Sequence, residues 1–296
     1  MNNEIFSRKY RAASSEKRNS DSQHNTFISN LRHAIDNDEL SLHYQPRFHA
    51  ISGKADILEA LVRWHRPGIG RYYPAVFLPD AEQNGLIFSL DLWVFERCCK
   101  DLKHLQTTIN PQIKIAINLS GLTCESIYYA QKIIEISKNH GVLLSDFEFE
   151  ITEHTLVRDI RKVVSFCETL KSYGAEFSLD DFGTVHSPLV NLNLLPANTV
   201  KIDHCFIHGI GKSKRCETII HSLVNMVKEL DMQVVAEGIE SNEQYWFMRD
   251  TACDQLQGFL LCRPLGLERI QSSILHTPEI KHSDINKQST PVPIAS

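Results

Sequence analysis

Residues 176–183 read EFSLDDFG, a short apolar run closed by two adjacent aspartates, Asp180 and Asp181, and by Gly183. The run predicts a strand that ends at the acids. Neighbouring strand residues point to opposite faces, so one aspartate is expected in the turn, where Gly183 lets the chain bend. Two carboxylates folded over one spot repel each other unless cations neutralise them, and ligands that are all oxygen suit Mg²⁺ or Mn²⁺.

The same ending recurs along the chain. Glu59 lies in ILEALVRW, Asn118 in IKIAINLS, Glu150 and Glu153 in FEFEITE, and Glu237 in QVVAEGIE. LSLHYQP, ADILEALVRW, IKIAINLS, FEFEIT, AEFSLDD, NTVKID, MQVVAEG and LQGFLL read as strands. Between many of them apolar residues fall at helical spacing, such as Ile127, Ile133, Ile134 and Ile136, or Ile219, Ile220, Leu223, Val224, Val227 and Leu230. Eight strand candidates with helices between them predict an α/β fold of the eight-stranded barrel type. A doubly wound open sheet competes, but its Gly-rich first turn is missing. Strand alternation puts Glu59, Leu61 and Arg63 on one face. Carboxylates at the ends of many strands are what a metal site at one mouth of a barrel requires, which points to hydrolysis of a phosphate ester.

Composition narrows the class. A chain of 296 residues, 42% of them hydrophobic, can bury a full core. A formal charge of -5 argues against a general coat for long nucleic acid. The eight cysteines form no C-x-x-C pair and read as reduced, mostly buried thiols of a cytoplasmic protein. The vicinal Cys98 and Cys99 would point apart on a helix. No apolar stretch is long enough for a membrane span, and the N-terminus lacks the core of a signal peptide. Residues 1–24 and 273–296 are polar and aperiodic, predicting a disordered arm and tail around a domain over 25–272. His65, His104, His140, His204 and His208 show no ligand spacing and are assigned to surface or loops. Trp64 and Trp93 are assigned to packing.

The succession YQPRF, EALVRW, INLS, EITE, DDFGT, VKID, VAEGIE and QGFLLCRPL, running from about Asn25 to about Ile270, resembles the EAL domain, a phosphodiesterase that linearises the bacterial messenger cyclic di-GMP to pGpG. The resemblance implies a modified (β/α)₈ barrel with one antiparallel strand, two metal ions per site and a homodimer. By position, Glu59, Asn118, Glu150 and Asp180 match ligands of the first ion, and Asp180 with Asp181 those of the second. Lys201 matches the lysine that holds the attacking water, and Glu237 the acid that helps place metal and water. Gln45, Leu61, Arg63 and Gln257 match the nucleotide-gripping side. Glu153, Asp203 and Glu240 match supporting positions, with Glu153 tethering the loop after Asp181 and Asp203 setting the orientation of Lys201. Where the family continues D-D-F-G-T-G-Y-S-S-L, this chain has DDFGTVHSPL. Val185 and Pro188 would stiffen that loop, and His186 replaces an aromatic residue. A weakly active or inactive receptor for cyclic di-GMP, or for a protein partner, is therefore the alternative to an active hydrolase.

Overall fold

The computed structural model describes residues 24–275 apart from 38, 67, 69, 154, 156–158 and 184–189. Most of the expected arm and tail lies outside the described residues. Where they are described, the boundary moves: His24 is already helical, in a helix over 24–36, and helix Leu267–Leu275 continues through 273–275. That last helix is fastened by buried Ile270 and by Gln271, whose Nε2 donates to the Thr108 carbonyl at 2.6 Å.

The strands are β1 (Leu40–His49), β2 (Ala55–Arg66), β3 (Gly70–Tyr72), β4 (Lys114–Asn118), β5 (Phe147–Thr152), β6 (Glu176–Phe182), β7 (Thr199–Ile202), β8 (Gln233–Ala236), β9 (Gln255–Leu256) and β10 (Leu265–Gly266). The chain forms two compact units. The larger combines Leu42–Leu61 with the chain from Asp91 onward, and the smaller combines the chain up to Ser41 with Val62–Leu90.

In the larger unit the ladder runs β10-β1-β9-β8-β7-β6-β5-β4-β2, and a β1–β2 pairing closes it into a barrel of eight strands, β1, β2 and β4–β9. The strands from β2 round to β9 are parallel. β1 is antiparallel to β9, pairing Phe48 with Leu256 and His49 with Gln255. The expected barrel with one reversed strand is the fold, and the open sheet is not. Parallel direction delivers the C-terminal ends of seven strands to one mouth.

Alternation on β5 shows how the barrel sorts its side chains. Phe147 and Phe149 face outward, with ring centroids 5.1 and 5.8 Å from that of Phe95 on helix Ile87–Thr108. Glu148 and Glu150, on the opposite face, therefore enter the lumen. The helical periodicities also hold: helix Ile127–His140 buries Ala130, Ile133 and Ile134, and helix Lys214–Glu229 buries Ile220, Val224 and Val227. Ile127 and Leu230, read with those faces, are 46% and 47% exposed because they sit at the helix ends, beyond the covered stripe.

The smaller unit is a hairpin, β3 paired antiparallel with the end of β2, packed with the helix over 24–36 and helix Pro74–Gln83. Trp64 centres it, fully buried, with the rings of Phe27, Tyr72 and Phe77 at 5.2, 5.3 and 6.0 Å. This is the packing role its apolar neighbours predicted.

β9 is shorter than the expected LQGFLL strand. After Leu256 the chain closes into a turn, with the Leu261 and Cys262 amides donating to the Gly258 carbonyl. A Cβ on Gly258 would overlap the backbone of Ile239, so only glycine permits this approach.

Candidate active site

The mouth of the barrel gathers one polar side chain from nearly every strand. Asn118 ends β4 and pairs in register with Glu150 of β5, while Glu237 and Gln257 follow β8 and β9 directly. A cavity of about 320 Å³ lies there, lined by Gln45, Glu59, Leu61, Asp180, Glu237, Glu240 and Gln257, together with His204, His208, Gly238, Gly258 and Phe259. A larger hollow of about 950 Å³ lies at the opposite strand ends. Two pairs cross it, His49 with Asp56 at 2.8 Å and Lys228 with Asp254 at 2.7 Å.

Lys201 is the hub. Its Nζ lies 2.6 Å from Glu237 Oε1, 2.7 Å from Glu150 Oε2, 3.2 Å from Asp180 Oδ1 and 3.9 Å from Glu59 Oε2, and the side chain is only 1% exposed. Glu59 is held from both sides: Asn118 Nδ2 donates to Oε1 at 2.9 Å and Gln257 Nε2 to Oε2 at 2.6 Å. Gln45 donates its amide to the Cys262 carbonyl at 2.9 Å. Below them, Arg47 donates to Glu148 and to Glu150.

Both aspartates lie in β6, so neither was needed in the turn. The ladder to β7 shifts register between Leu179 and Phe182, and Asp181 adopts a left-handed φ of 56°. Such a bulge re-aims side chains that alternation would separate, and Asp is among the residues that tolerate this conformation. As a result one carboxylate oxygen from each of Asp180, Asp181 and Glu237 lies within 4.8 Å of the others. Immediately downstream, the Gly183 amide donates to Glu153 Oε2 at 3.3 Å. Val185, His186 and Pro188 lie outside the described residues.

Burial disfavours the charge of Lys201, but Asp180, Glu150, Glu237 and Glu59 together push its pKa well above the ordinary lysine value. It is therefore a permanent cation. The acids pay for their crowding. Withdrawal from water, reinforced by Asp180 and Glu59, lifts Glu237 to about 8 despite Lys201. Asp181 is raised by burial and by Asp180, and Glu150 by burial and by Glu59. Burial would raise Glu59 too, but Lys201, Arg47 and its two amide donors hold it below the usual carboxylate value. Among the described residues, the buried cations set against Glu59, Glu148, Glu150, Asp180 and Glu237 are Lys201 and Arg47, while Asp181 also feels His204. Asp180 Oδ1 is buried and, beyond its ion pair with Lys201, has no hydrogen bond among the described residues. An oxygen-rich, over-charged set of this kind fits hard divalent cations such as Mg²⁺ or Mn²⁺.

One expectation changes. Asp203 does not orient Lys201: it caps helix His204–Ile207, accepting from the Cys205 amide at 2.9 Å, and pairs with His204 at 2.7 Å. Glu240 lines the cavity and lies 3.4 Å from His208, an exposed pair. Arg63, in the smaller unit, donates to the Val62 carbonyl at 2.9 Å and stands 5.2 Å over the Tyr73 ring. Sequence reading missed Arg47 and Glu148. Their signal was period two: Arg47 follows Gln45, and Glu148 precedes Glu150, each on the same strand face. His204 and His208, assigned to surface or loop, are exposed and also line the cavity.

A family model described as EAL domain matches residues 28–264. The cyclic di-GMP phosphodiesterase NbdA of Pseudomonas aeruginosa is 36% identical over 241 residues, covering 81% of this chain and 31% of that protein. The bifunctional diguanylate cyclase/cyclic di-GMP phosphodiesterase MucR of the same organism is 34% identical over 248 residues, covering 84% and 36%. The chain thus spans about a third of the length of these relatives. Among solved structures, the PaMucR phosphodiesterase in complex with c-di-GMP is 34% identical with a TM-score of 0.78, covering 83% of this chain and 99% of that one.

Proposed function

The chain belongs to the EAL domain family, and from that premise we propose that it hydrolyses one phosphodiester bond of cyclic di-GMP, releasing linear pGpG. The observation that carries this reading is the enclosure of the Lys201 ammonium by Glu237, Glu150, Asp180 and Glu59 at the barrel mouth. Glu59, Asn118, Glu150 and Asp180 would hold one Mg²⁺ or Mn²⁺, and Asp180 with Asp181 a second. Bound there, the ions supply the Lewis acidity that polarises a phosphate and lowers the pKa of water.

The protein's own groups do the rest. Lys201, charged at every working pH, offers a fixed positive charge where an attacking hydroxide and a phosphate gather negative charge. It is a brace for the nucleophile, not a base. Glu237, beside it, positions the water through its carboxyl. Gln257 presents a buried Oε1 with no hydrogen-bond partner among the described residues, an acceptor ready for a nucleotide N–H donor. Gln45 and Leu61 complete the grip in the larger unit, and for Arg63 the resemblance alone implies a part in holding the nucleotide, a role to which a guanidinium fork is suited. A homodimer and a cytoplasmic location belong to the same proposal; among the described residues no helix is long and apolar enough to cross a membrane.

The receptor reading is favoured by one observation, the Val185, His186 and Pro188 substitutions after the aspartate pair. Incubating the purified protein with cyclic di-GMP and Mg²⁺ or Mn²⁺, then separating the nucleotides, decides between them. Linear pGpG supports the hydrolase, and nucleotide bound but recovered intact supports the receptor.

A further inference from the structure

We propose that Arg47 is a positioning residue of this site, fixing Glu150 so that a single carboxylate oxygen faces the cation-binding mouth; the inference rests on the hydrolytic reading above. Arg47 lies on the reversed strand β1, wholly buried in the lumen. Its Nη1 donates to Glu148 Oε1 at 2.7 Å and its Nη2 donates to Glu150 Oε1. The other oxygen of Glu150, Oε2, receives the Lys201 ammonium at 2.7 Å. The two oxygens of Glu150 are thus held by two different cations, reaching in from β1 and β7.

The geometry depends on the shape of the guanidinium. Glu148 and Glu150 are two residues apart on one face of β5, so their carboxyl groups stack along the lumen. A planar fork can bridge both at once, whereas an ammonium is a point charge that cannot fix two carboxylates in set orientations. With Oε1 committed to Arg47, Glu150 cannot swing both oxygens toward the mouth. Arg47 is not among the groups lining the cavity, and its direct contact with the cation-binding acids is through Glu150. Glu148 has the complementary task of holding the second arm of the fork.

The test compares the parent, Arg47→Lys and the double variant Arg47→Met/Glu148→Gln, which removes the cation together with one of its two anions. Each is stripped of metal, and Mn²⁺ binding is measured by calorimetry without nucleotide. Turnover of cyclic di-GMP is then followed against Mn²⁺ concentration. The double variant is expected to melt cooperatively and to bind Mn²⁺ about 10–100-fold more weakly than the parent, the usual effect of losing a group that orients a metal ligand. Its KM for cyclic di-GMP at saturating Mn²⁺ should be unchanged. Arg47→Lys is expected to fall between, and it carries the decision if the double variant does not melt cooperatively. Parental Mn²⁺ affinity in a folded variant would reduce Arg47 to lumen packing and overturn the proposal. A parent that binds Mn²⁺ but releases no pGpG would count against hydrolysis alone, while the Mn²⁺ comparison still decides the role of Arg47. A parent that binds no Mn²⁺ would overturn both.

Discussion

The Lys201 ammonium lies 2.6 Å from Glu237 Oε1, yet the Glu237 carboxyl is still lifted to about 8. One lysine cannot neutralise the acids that surround it. The site therefore stores electrostatic repulsion in the absence of other cations, and that surplus is the physical basis of the predictions that follow.

Lys201→Ala takes the central cation from four carboxylates. Removing one partner of a buried ion pair costs about 3–5 kcal/mol, so in chelator the variant should melt well below the parent. Added Mn²⁺ should recover more stability in the variant than in the parent, because more repulsion is left to relieve. Product formation should be lost while calorimetry still detects cyclic di-GMP binding. An unchanged melting temperature in chelator would show that Lys201 does not hold the cluster together.

Glu237 predicts a pH dependence of the metal-free protein. Its folded pKa of about 8 exceeds the ordinary value of 4.5, so between the two the folded state binds more protons than the unfolded. Its stabilising contribution is full below about 4.5 and is lost as the pH rises through 8. Melting curves in chelator should show Glu237→Gln losing less stability than the parent between these limits. Parallel pH profiles for the two proteins would contradict the assignment.

Glu59→Gln keeps the shape of the side chain but replaces one acceptor oxygen with a donor. Asn118 and Gln257 each donate to one oxygen of Glu59, so the new amide must face one of them donor to donor. The mismatch should cost about 1–3 kcal/mol of stability. Loss of the ligand charge should lower turnover at least about tenfold. Parental turnover in the variant would remove Glu59 from the metal set.

Gly258→Ala tests the turn that carries Gln257. A Cβ at Gly258 would run into the Ile239 backbone, whereas at Gly266 it would meet nothing within 4 Å. Overpacking of this kind typically costs about 1–3 kcal/mol. Thermal unfolding should show Gly258→Ala clearly destabilised and Gly266→Ala within about 0.5 kcal/mol of the parent. Equal stabilities would mean that the turn shifts freely.

Much of the site was legible because polar residues interrupt apolar runs at strand ends. Asn118, Glu150 and Asp180 stand out in this way, and barrel topology brings them together. Arg47 and Glu148 were harder to read, since neither stands at a strand end and only alternation with Gln45 and Glu150 places them in the lumen. The bulge at Asp181 is a backbone event that residue type only permits. β3 and β10, of three and two residues, carry too little pattern to register. Asp203 was misread because a strand-end acid two residues from Lys201 serves equally well as a helix cap.

An acid cluster at the barrel mouth that serves as a divalent-cation site for opening cyclic di-GMP must lose its turnover with the metal. Stripping the protein with chelator and titrating Mn²⁺ back in the presence of cyclic di-GMP, with pGpG quantified at each step, tests it most directly. No product is expected in chelator, and pGpG should rise with Mn²⁺ to saturation, with no such rise in Glu59→Gln. Undiminished turnover in chelator, or none from the parent at saturating Mn²⁺, would contradict it.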